Sequence, residues 1–406
     1  MSEDETSVEN ENQEPEPAPA SPAKPKNVLM TDEFPGITKL DDGLWKCEGA
    51  PNWRRVPGFP IYATGQPLRD DIEKCVDQAV KKYDEQKSVL WVNLRQEPVL
   101  YVNGTPYSIR SSDDLAGHIV LNEAYELNNI ENAFASELKK ADKFQFYKDQ
   151  VGEKAVEKAP APVEGSGRPD SVVTLNEVFS AASKKQQKLE YKRIPLNLNA
   201  SAREDSFDQI VRLLKGQGSA VPIIFNCQGG FTRSSAAAVM AGIIKEAQLE
   251  AEFNKMKGKK RLYLYSDLIL QPYLFIEGIV PEEIVEELRA KKLKPPVKPR
   301  DAKDNALMLG EFPVVMNLIK EVPEAEEAKQ QVDRLIDAVG PPAGVENIRE
   351  AIVMDKMQYD VASDEFRELL KTRIMDNVEK YFMFIVFSLY CKKVHINCIN
   401  KMNNKF

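Results

Sequence analysis

Histidine is almost absent from this chain: two occur in 406 residues, His118 and His395, far apart in sequence. That scarcity argues against a histidine-built metal centre and against a Ser-His-Asp triad, because both need imidazoles converging on one point. His118 reads as a surface residue. Cysteine is sparse as well. The five (Cys47, Cys75, Cys227, Cys391 and Cys398) show no paired or metal-ligand spacing, which fits reduced thiols in a cytoplasmic protein better than a disulfide framework. His395 and Cys398 sit close enough to suggest metal ligands, but no companion pair lies near them, so no metal is expected, and no organic cofactor is implied. No apolar run reaches the roughly twenty residues of a bilayer span. The most apolar stretch, YFMFIVFSLYC over 381–391, reads as a helix buried in protein.

Basic charge is lacking at the start of the chain. The first twenty residues hold seven carboxylates and no Lys or Arg, which accounts for most of the formal net charge of -8. The remainder is close to neutral and gives no case for a nucleic-acid partner. The opening stretch, MSEDETSVENENQEPEPAPASPAKPK, has neither the basic start nor the apolar core of a secretory signal. Acidic and Pro-rich, it cannot bury a core and is expected to be disordered.

What is present is concentrated in VPIIFNCQGGFTRSSAAAVMAGII, from Val221 to Ile244. The apolar run Val221–Phe225 predicts a buried strand, two glycines follow Cys227, and a helix rich in Ala, Val, Met and Ile begins near Arg233. A strand, a glycine-bearing loop and a helix N-terminus form an anion cradle, since loop and first-turn amides point at one spot. A thiol and a guanidinium in that cradle are the parts for phosphoryl transfer through a covalent cysteine intermediate. Cys227 would attack phosphorus, and the amides of Gln228, Gly229, Gly230, Phe231 and Thr232 would bind the equatorial oxygens. Arg233 can hold two oxygens at once, as lysine cannot. Ser234 would donate a hydrogen bond to the leaving thiolate. The bland alternative is a buried cysteine ending a core strand, with Arg233 in a surface salt bridge.

On these residues the loop resembles the signature of cysteine-dependent phosphatases of the protein-tyrosine and dual-specificity class. YATGQP (62–67), WVNLRQEPVLYVNG (91–104), TLNEVF (174–179), YKRIPL (191–196) and FNCQGGFTRS (225–234) together resemble the paladin family and its relatives, the cysteine phytases. GEFPVVMNLI (310–319), QQVDRLID, ENIREAI and the helix around EKYFMFIVFSLY continue that pattern, so the resemblance covers about residues 50 to 392. It implies a phosphatase-like α/β fold and a phosphorylated ligand: a small molecule, a lipid headgroup or a phosphoprotein. Paladins carry more than one phosphatase-like repeat, whereas one cysteine loop occurs in this sequence, which implies a single-repeat or partial form.

The departures concern proton transfer. Asn226 stands where such phosphatases have histidine, and brings no positive charge. Thr232 replaces the second loop glycine. The family's general acid is an aspartate some thirty residues before the cysteine, but RIPLNLNASAREDSFD has Asn197, Leu198 and Asn199 in its first half. Asp205 is the candidate acid. Both it and Asp208 lie at the start of a helix, where capping and dipole pairing are the alternative role.

The predicted organisation is an acidic tail and entry segment over 1–50, a cysteine-phosphatase-like domain over 51–290, a basic Pro-rich linker over 291–304, a helical extension over 305–392 and a tail over 393–406. Helices are expected at IEKCVDQAVKKYDEQ, NIENAFASELKKA, TLNEVFSAASKK and FDQIVRLLKG, and strands at VLWVNL, LEYKRIPL and VPIIF. This alternation predicts a mostly parallel central sheet flanked by helices, with the cysteine loop at a strand's carboxyl end. YVNGTPYSI predicts a hairpin turning at Asn103-Gly104. The run 153–170 reads as a flexible surface insertion, and KMKGKKR (255–261) as a solvated helix end or a patch drawing in polyanions and giving peripheral membrane contact. Arg95 reads either as a substrate contact or as a structural ion pair. Two functions remain open: an active phosphatase, or a pseudophosphatase that binds phosphorylated partners without turnover.

Overall fold

The computed structural model describes residues 26–32, 47–56, 58–80, 88–115, 117–142, 144–148, 162–164, 169–186, 188–196, 204–255, 300–339 and 347–403. The acidic tail up to residue 25, the Asn197–Asn199 segment, the basic run after Lys255 and the Pro-rich linker up to residue 299 lie outside these residues. In chain order the strands are β1 (Asn27–Thr31), β2 (Arg54–Arg55), β3 (Ile61–Thr64), β4 (Val89–Asn93), β5 (Val99–Val102), β6 (Thr105–Ser111), β7 (Gln145–Tyr147), β8 (Pro162–Glu164), β9 (Val172–Thr174), β10 (Leu189–Arg193) and β11 (Ile223–Asn226). The first five helices are α1 (Ile72–Val80), α2 (Ala124–Leu138), α3 (Leu175–Lys185), α4 (Glu204–Leu214) and α5 (Arg233–Lys255). A helical unit follows: α6 (Ala302–Met308), α7 (Pro313–Glu321), α8 (Ala325–Val339), α9 (Ile348–Tyr359) and α10 (Asp364–Asn403).

The expected parallel sheet has the order β10-β4-β11-β3-β2, with all neighbours parallel except the β2–β3 edge. Its inner strands read as unbroken apolar runs because both faces are covered. Within each strand the side chains still alternate. Leu90, Val92, Ile223 and Phe225 join the core beneath α4 and α5, while Val89, Trp91 and Ile224 join a second core with α1 and α3. β11 lies between β3 and β4, with Asn226 opposite Thr64 on one side and Asn93 on the other. Cys227 is therefore the first residue past the carboxyl end of a central strand.

A second sheet, ordered β8-β7-β1-β6-β5-β9, was not foreseen beyond its hairpin. Asn103 and Gly104 turn β5 into β6 with φ of 52° and 84°, the positive pair that a two-residue hairpin turn demands. The entry segment supplies β1, paired with β6. Within the run expected to be a flexible insertion, Pro162–Glu164 forms edge strand β8 on β7; an edge tolerates proline because its outer ladder needs no donor. The link between the sheets is local. Thr174 ends β9 and caps α3: Glu177 N donates to Thr174 Oγ1 at 3.3 Å, and Thr174 N donates to Glu177 Oε2 at 2.7 Å.

The helical unit packs directly on α5. Ala237, Ala238, Val239, Met240, Ala241, Ile243 and Ile244 are all buried, so α5 is apolar around its circumference, as a helix covered on all sides must be. Leu335 of α8 and Phe384 and Ile385 of α10 share its core. The apolar stretch over 381–391 is thus a core helix, and no helix among the described residues is long and apolar enough to cross a membrane. α10 continues to Asn403, where an irregular tail was expected from residue 393; no Gly or Pro between 364 and 403 stops it.

Candidate active site

The loop Cys227–Thr232 joins β11 to α5, and its shape is fixed from below by contacts too tight for side chains. Gly230 has φ of 83°, and a Cβ there would stand 2.5 Å from Gly65 N and 2.7 Å from Thr64 C. Gly65, at the end of β3, is itself pressed against the Gln228 carbonyl, and Gln66 N donates to that carbonyl at 2.9 Å. Glycine at both positions lets two backbone segments touch. Cys227 N donates to Thr64 O at 3.2 Å, which carries the strand pairing one residue beyond β11.

Within the loop, Gly230 N donates to Cys227 Sγ at 3.2 Å, and Sγ lies 3.5 Å from Ser234 Oγ. Cys227 is buried, and Ser234 more so. An amide and a hydroxyl thus both contact the one sulfur. Arg233 opens α5 and is gripped through both terminal nitrogens by Glu97: Nη1 donates to Oε2 at 2.6 Å and Nη2 donates to Oε1. Its Nε is buried and has no hydrogen-bond partner among the described residues. Burial alone would raise the pKa of Glu97, but Arg233 and Arg95 overcome it and hold the carboxyl far below the usual range. Burial opposes the charge on Arg233 too, and Glu97 more than restores it.

Glu97 belongs to a chain of alternating charges. Arg95 approaches Glu97 through Nε at 3.5 Å, and donates to both oxygens of Asp32 and, at 2.8 Å, to Ser108 Oγ. Arg95 is thus a structural ion pair. Gln228 extends its Nε2 to Asp32 Oδ1 at 3.3 Å, which ties the residue after the nucleophile to the same network.

Asn226, in the place of histidine, is fully buried and saturated. Its Oδ1 accepts from Trp91 Nε1 at 2.7 Å, and its Nδ2 donates to Gln66 Oε1 at 3.0 Å. Gln66 Nε2 in turn donates to Tyr101 Oη at 2.7 Å. The amide therefore serves as a neutral tie between β4, β11 and the end of β3, a role that needs both a donor and an acceptor.

A second arginine lies behind the loop. Arg54 is buried and donates to Gly230 O (2.5 Å), Asn52 O (3.1 Å), Val339 O (3.0 Å) and Ser235 Oγ (2.7 Å). No carboxylate among the described residues pairs with it, and burial lowers its guanidinium to about 10, with nearby Cys227 opposing the shift. Asn52 Nδ2 donates to Gly229 O at 2.6 Å. Thus the carbonyls of Gly229 and Gly230 are both held by side chains from outside the loop.

The structure gathers Cys227, Gly230, Arg233 and Ser234 at one point. Phe231 O accepts from Ser235 Oγ, and Thr232 O accepts from Ala236 N at 2.9 Å, so both residues belong to the turn that starts α5. Asp205 lies in the first turn of α4, and its side chain is outside the described residues. Asp208 is exposed and pairs with Arg212 at 3.6 Å, an i,i+4 helix pair. His118 is exposed, with Nε2 3.5 Å from Arg110 Nη2. Reasoning from sequence missed Arg54, Asn52 and Glu97. Glu97 alone carried a signal: it lies two residues beyond Arg95, just past the carboxyl end of the expected strand VLWVNL. Cys47 and Cys75, 28 residues apart, place their sulfurs 3.2 Å from each other. Among the described residues, no group of three or more His, Cys, Asp or Glu side chains is arranged to hold a metal ion.

Residues 92–245 match the family model for PTP-like phytases, described by inositol hexakisphosphate. Paladin from Xenopus tropicalis is 26% identical over 352 residues, covering 84% of this chain and 34% of that protein. Human paladin is 27% identical over 348 residues, covering 84% and 33%. The chain therefore spans about a third of the length of the paladins it matches. Among solved structures, similarity extends to the PTP-like myo-inositol phosphatase of Mitsuokella multacida in complex with myo-inositol-(1,3,4,5)-tetrakisphosphate, with a TM-score of 0.39 and 13% identity over 67% of this chain and 48% of that one. A PTP-like phytase from Bdellovibrio bacteriovorus gives 0.36 and 16%, over 63% and 79%. The chain is thus a relative of the paladins, and its cysteine loop lies in a domain of the PTP-like phytase kind.

Proposed function

We propose that this chain is a cysteine-dependent phosphatase that hydrolyses phosphomonoesters of the inositol phosphate or phosphoinositide class in the cytoplasm. The observation that carries the reading is Arg233. Glu97 fixes both of its terminal nitrogens beside Cys227, while its buried Nε retains an N–H with no protein acceptor among the described residues. A phosphoryl oxygen is the acceptor that suits such a donor. Cys227 attacks phosphorus, the ester P–O bond breaks and the alcohol leaves. Water then attacks the phosphocysteine, the P–S bond breaks, and Ser234 donates to the departing thiolate. Gly230 N and the neighbouring loop amides stabilise charge on the transferring group. The phytase family match over residues 92–245 supports inositol phosphates as the substrate class.

One observation favours a second reading, a binding protein without turnover. Glu97 is held ionised by Arg233 and Arg95 and so has no proton to give, while Asp32 is engaged in accepting from Arg95 and Ser108. The candidate acid Asp205 would have to supply it. Phosphate release by the wild type and by Cys227→Ser, on an aryl phosphate, an inositol phosphate, a phosphoinositide and a phosphopeptide, separates these readings. Turnover of inositol phosphates that vanishes in the variant supports the enzyme. Turnover of the aryl phosphate alone locates the defect in proton donation. No turnover, with retained binding, establishes the scaffold.

A further inference from the structure

Cys47 and Cys75 take no part in the chemistry at Cys227, yet they form the closest thiol pair among the described residues, at 3.2 Å. Both are buried, at 4% and 0% exposure. Cys75 lies on the inner face of α1, beside Ile72, Val76 and Ala79. Cys47 opens a short strap, residues 47–52, that passes under the phosphate loop. From this strap Pro51 O accepts from Gly65 N (2.7 Å) and Thr64 Oγ1 (2.9 Å), and Asn52 holds the Gly229 carbonyl. The strap is thus one contact away from the loop, and α1 is the element against which its first residue rests.

We propose that Cys47 and Cys75 are a modification site for hydroperoxides, an oxidisable dithiol whose disulfide staples the strap beneath the phosphate loop to α1. The pair is polarised for this chemistry. The hydrogen bond from Cys75 lowers the Cys47 thiol, with Lys74 assisting, whereas burial and then Cys47 itself raise Cys75. Cys47 is the attacking sulfur and Cys75 the resolving one. The Cys47 thiolate attacks one peroxide oxygen, the O–O bond breaks, and the departing hydroxide takes a proton to become water. Cys75 then loses its proton and attacks the Cys47 sulfenic sulfur; the S–O bond breaks and a second water leaves. Two thiols lose two electrons and two protons, and one peroxide becomes two waters. The sulfurs must close by roughly 1 Å to reach bonding distance.

The test uses the reduced full chain and its Cys227→Ser variant, treated with hydrogen peroxide, alkylated and examined by intact mass and peptide mapping. The expected result is loss of two hydrogens, a linked peptide pair containing Cys47 and Cys75 in both proteins, and reversal by dithiothreitol. Cys47→Ala and Cys75→Ala each abolish the link. Oxidation raises the thermal midpoint of the wild type by several degrees and leaves that of Cys75→Ala unchanged. Free, alkylatable Cys47 and Cys75 under peroxide that oxidises Cys227 overturn the proposal, as does a disulfide joining Cys227 to either. The mass readout does not depend on phosphatase activity, so a chain without turnover still tests it.

Discussion

Replacing Glu97 with glutamine preserves the shape of the side chain and removes one charge from the buried sequence Asp32, Arg95, Glu97, Arg233. Arg95 keeps its two bonds to Asp32, whereas Arg233 loses the only carboxylate among the described residues that pairs with it. At 3% exposure for Glu97 and 10% for Arg233, water replaces little of the lost interaction. Removing one partner of such a pair costs about 3–5 kcal/mol. Glutamine retains one acceptor oxygen, so the lower end, about 3 kcal/mol, is expected at neutral pH. Urea unfolding followed by tryptophan fluorescence measures it, because Trp53 and Trp91 are buried around the site. The pH dependence has a definite sign. A carboxyl whose folded pKa is depressed contributes stability above its unfolded value, about 4.3 for Glu, and loses it as pH falls toward the folded value. The gap between wild type and Glu97→Gln is therefore constant above about pH 5 and narrows below pH ~4. A loss under about 1 kcal/mol at neutral pH, or a gap that widens in acid, would refute the claim that a buried ion pair positions Arg233.

Three further outcomes follow from the loop's supports. Gly230→Ala places a Cβ 2.5 Å from Gly65 N at φ of 83°, so binding of vanadate or inorganic phosphate falls at least roughly tenfold while the far-ultraviolet spectrum is kept. Unchanged affinity would mean that the loop does not need that approach. Asn226→Ala orphans Trp91 Nε1 and leaves Gln66 Oε1 with Asn93 Nδ2 as its remaining donor, at about 2 kcal/mol in urea unfolding; a neutral result would show that water enters the gap. Arg54→Met leaves the carbonyls of Gly230, Asn52 and Val339 without that donor, and lowers kcat more than it raises KM in a phosphatase assay. Arg54→Lys recovers only part of it, since one ammonium cannot reach four acceptors; full recovery would assign Arg54 a charge role alone.

The parts of the fold legible in the sequence are those coded over short stretches. The run from β11 through the loop into α5 holds its apolar strand, its two glycines and its helix within one segment, and the Asn103-Gly104 turn needs only two residues. The second sheet was illegible because its strands pair across long separations: β1 meets β6, and β5 meets β9. No local pattern records such pairing. The site divides in the same way. Cys227, Arg233 and Ser234 are seven residues apart at most, whereas Glu97 and Arg54 come from far upstream, and the parallel register of β3, β4 and β11 with the antiparallel β2–β3 edge brings them together. Cys47 and Cys75 were overlooked for this reason as well, since 28 residues of chain conceal a contact between a strap and a helix.

Arg54 also bears on where this protein can be cut. Its Nε reaches the carbonyl of Val339, the last residue of α8, while its other end holds Gly230. α5 is covered on one side by the sheet and on the other by Leu335, Phe384 and Ile385. A piece trimmed to the matched segment 92–245 would lack Arg54 and the strap, and would expose the outer flank of α5 to water. A piece ending after α5 would keep Arg54 but strip it of one acceptor. The segment that the phytase family model matches is shorter than the stretch that must fold together, and the smallest portable version of this loop includes the C-terminal helices.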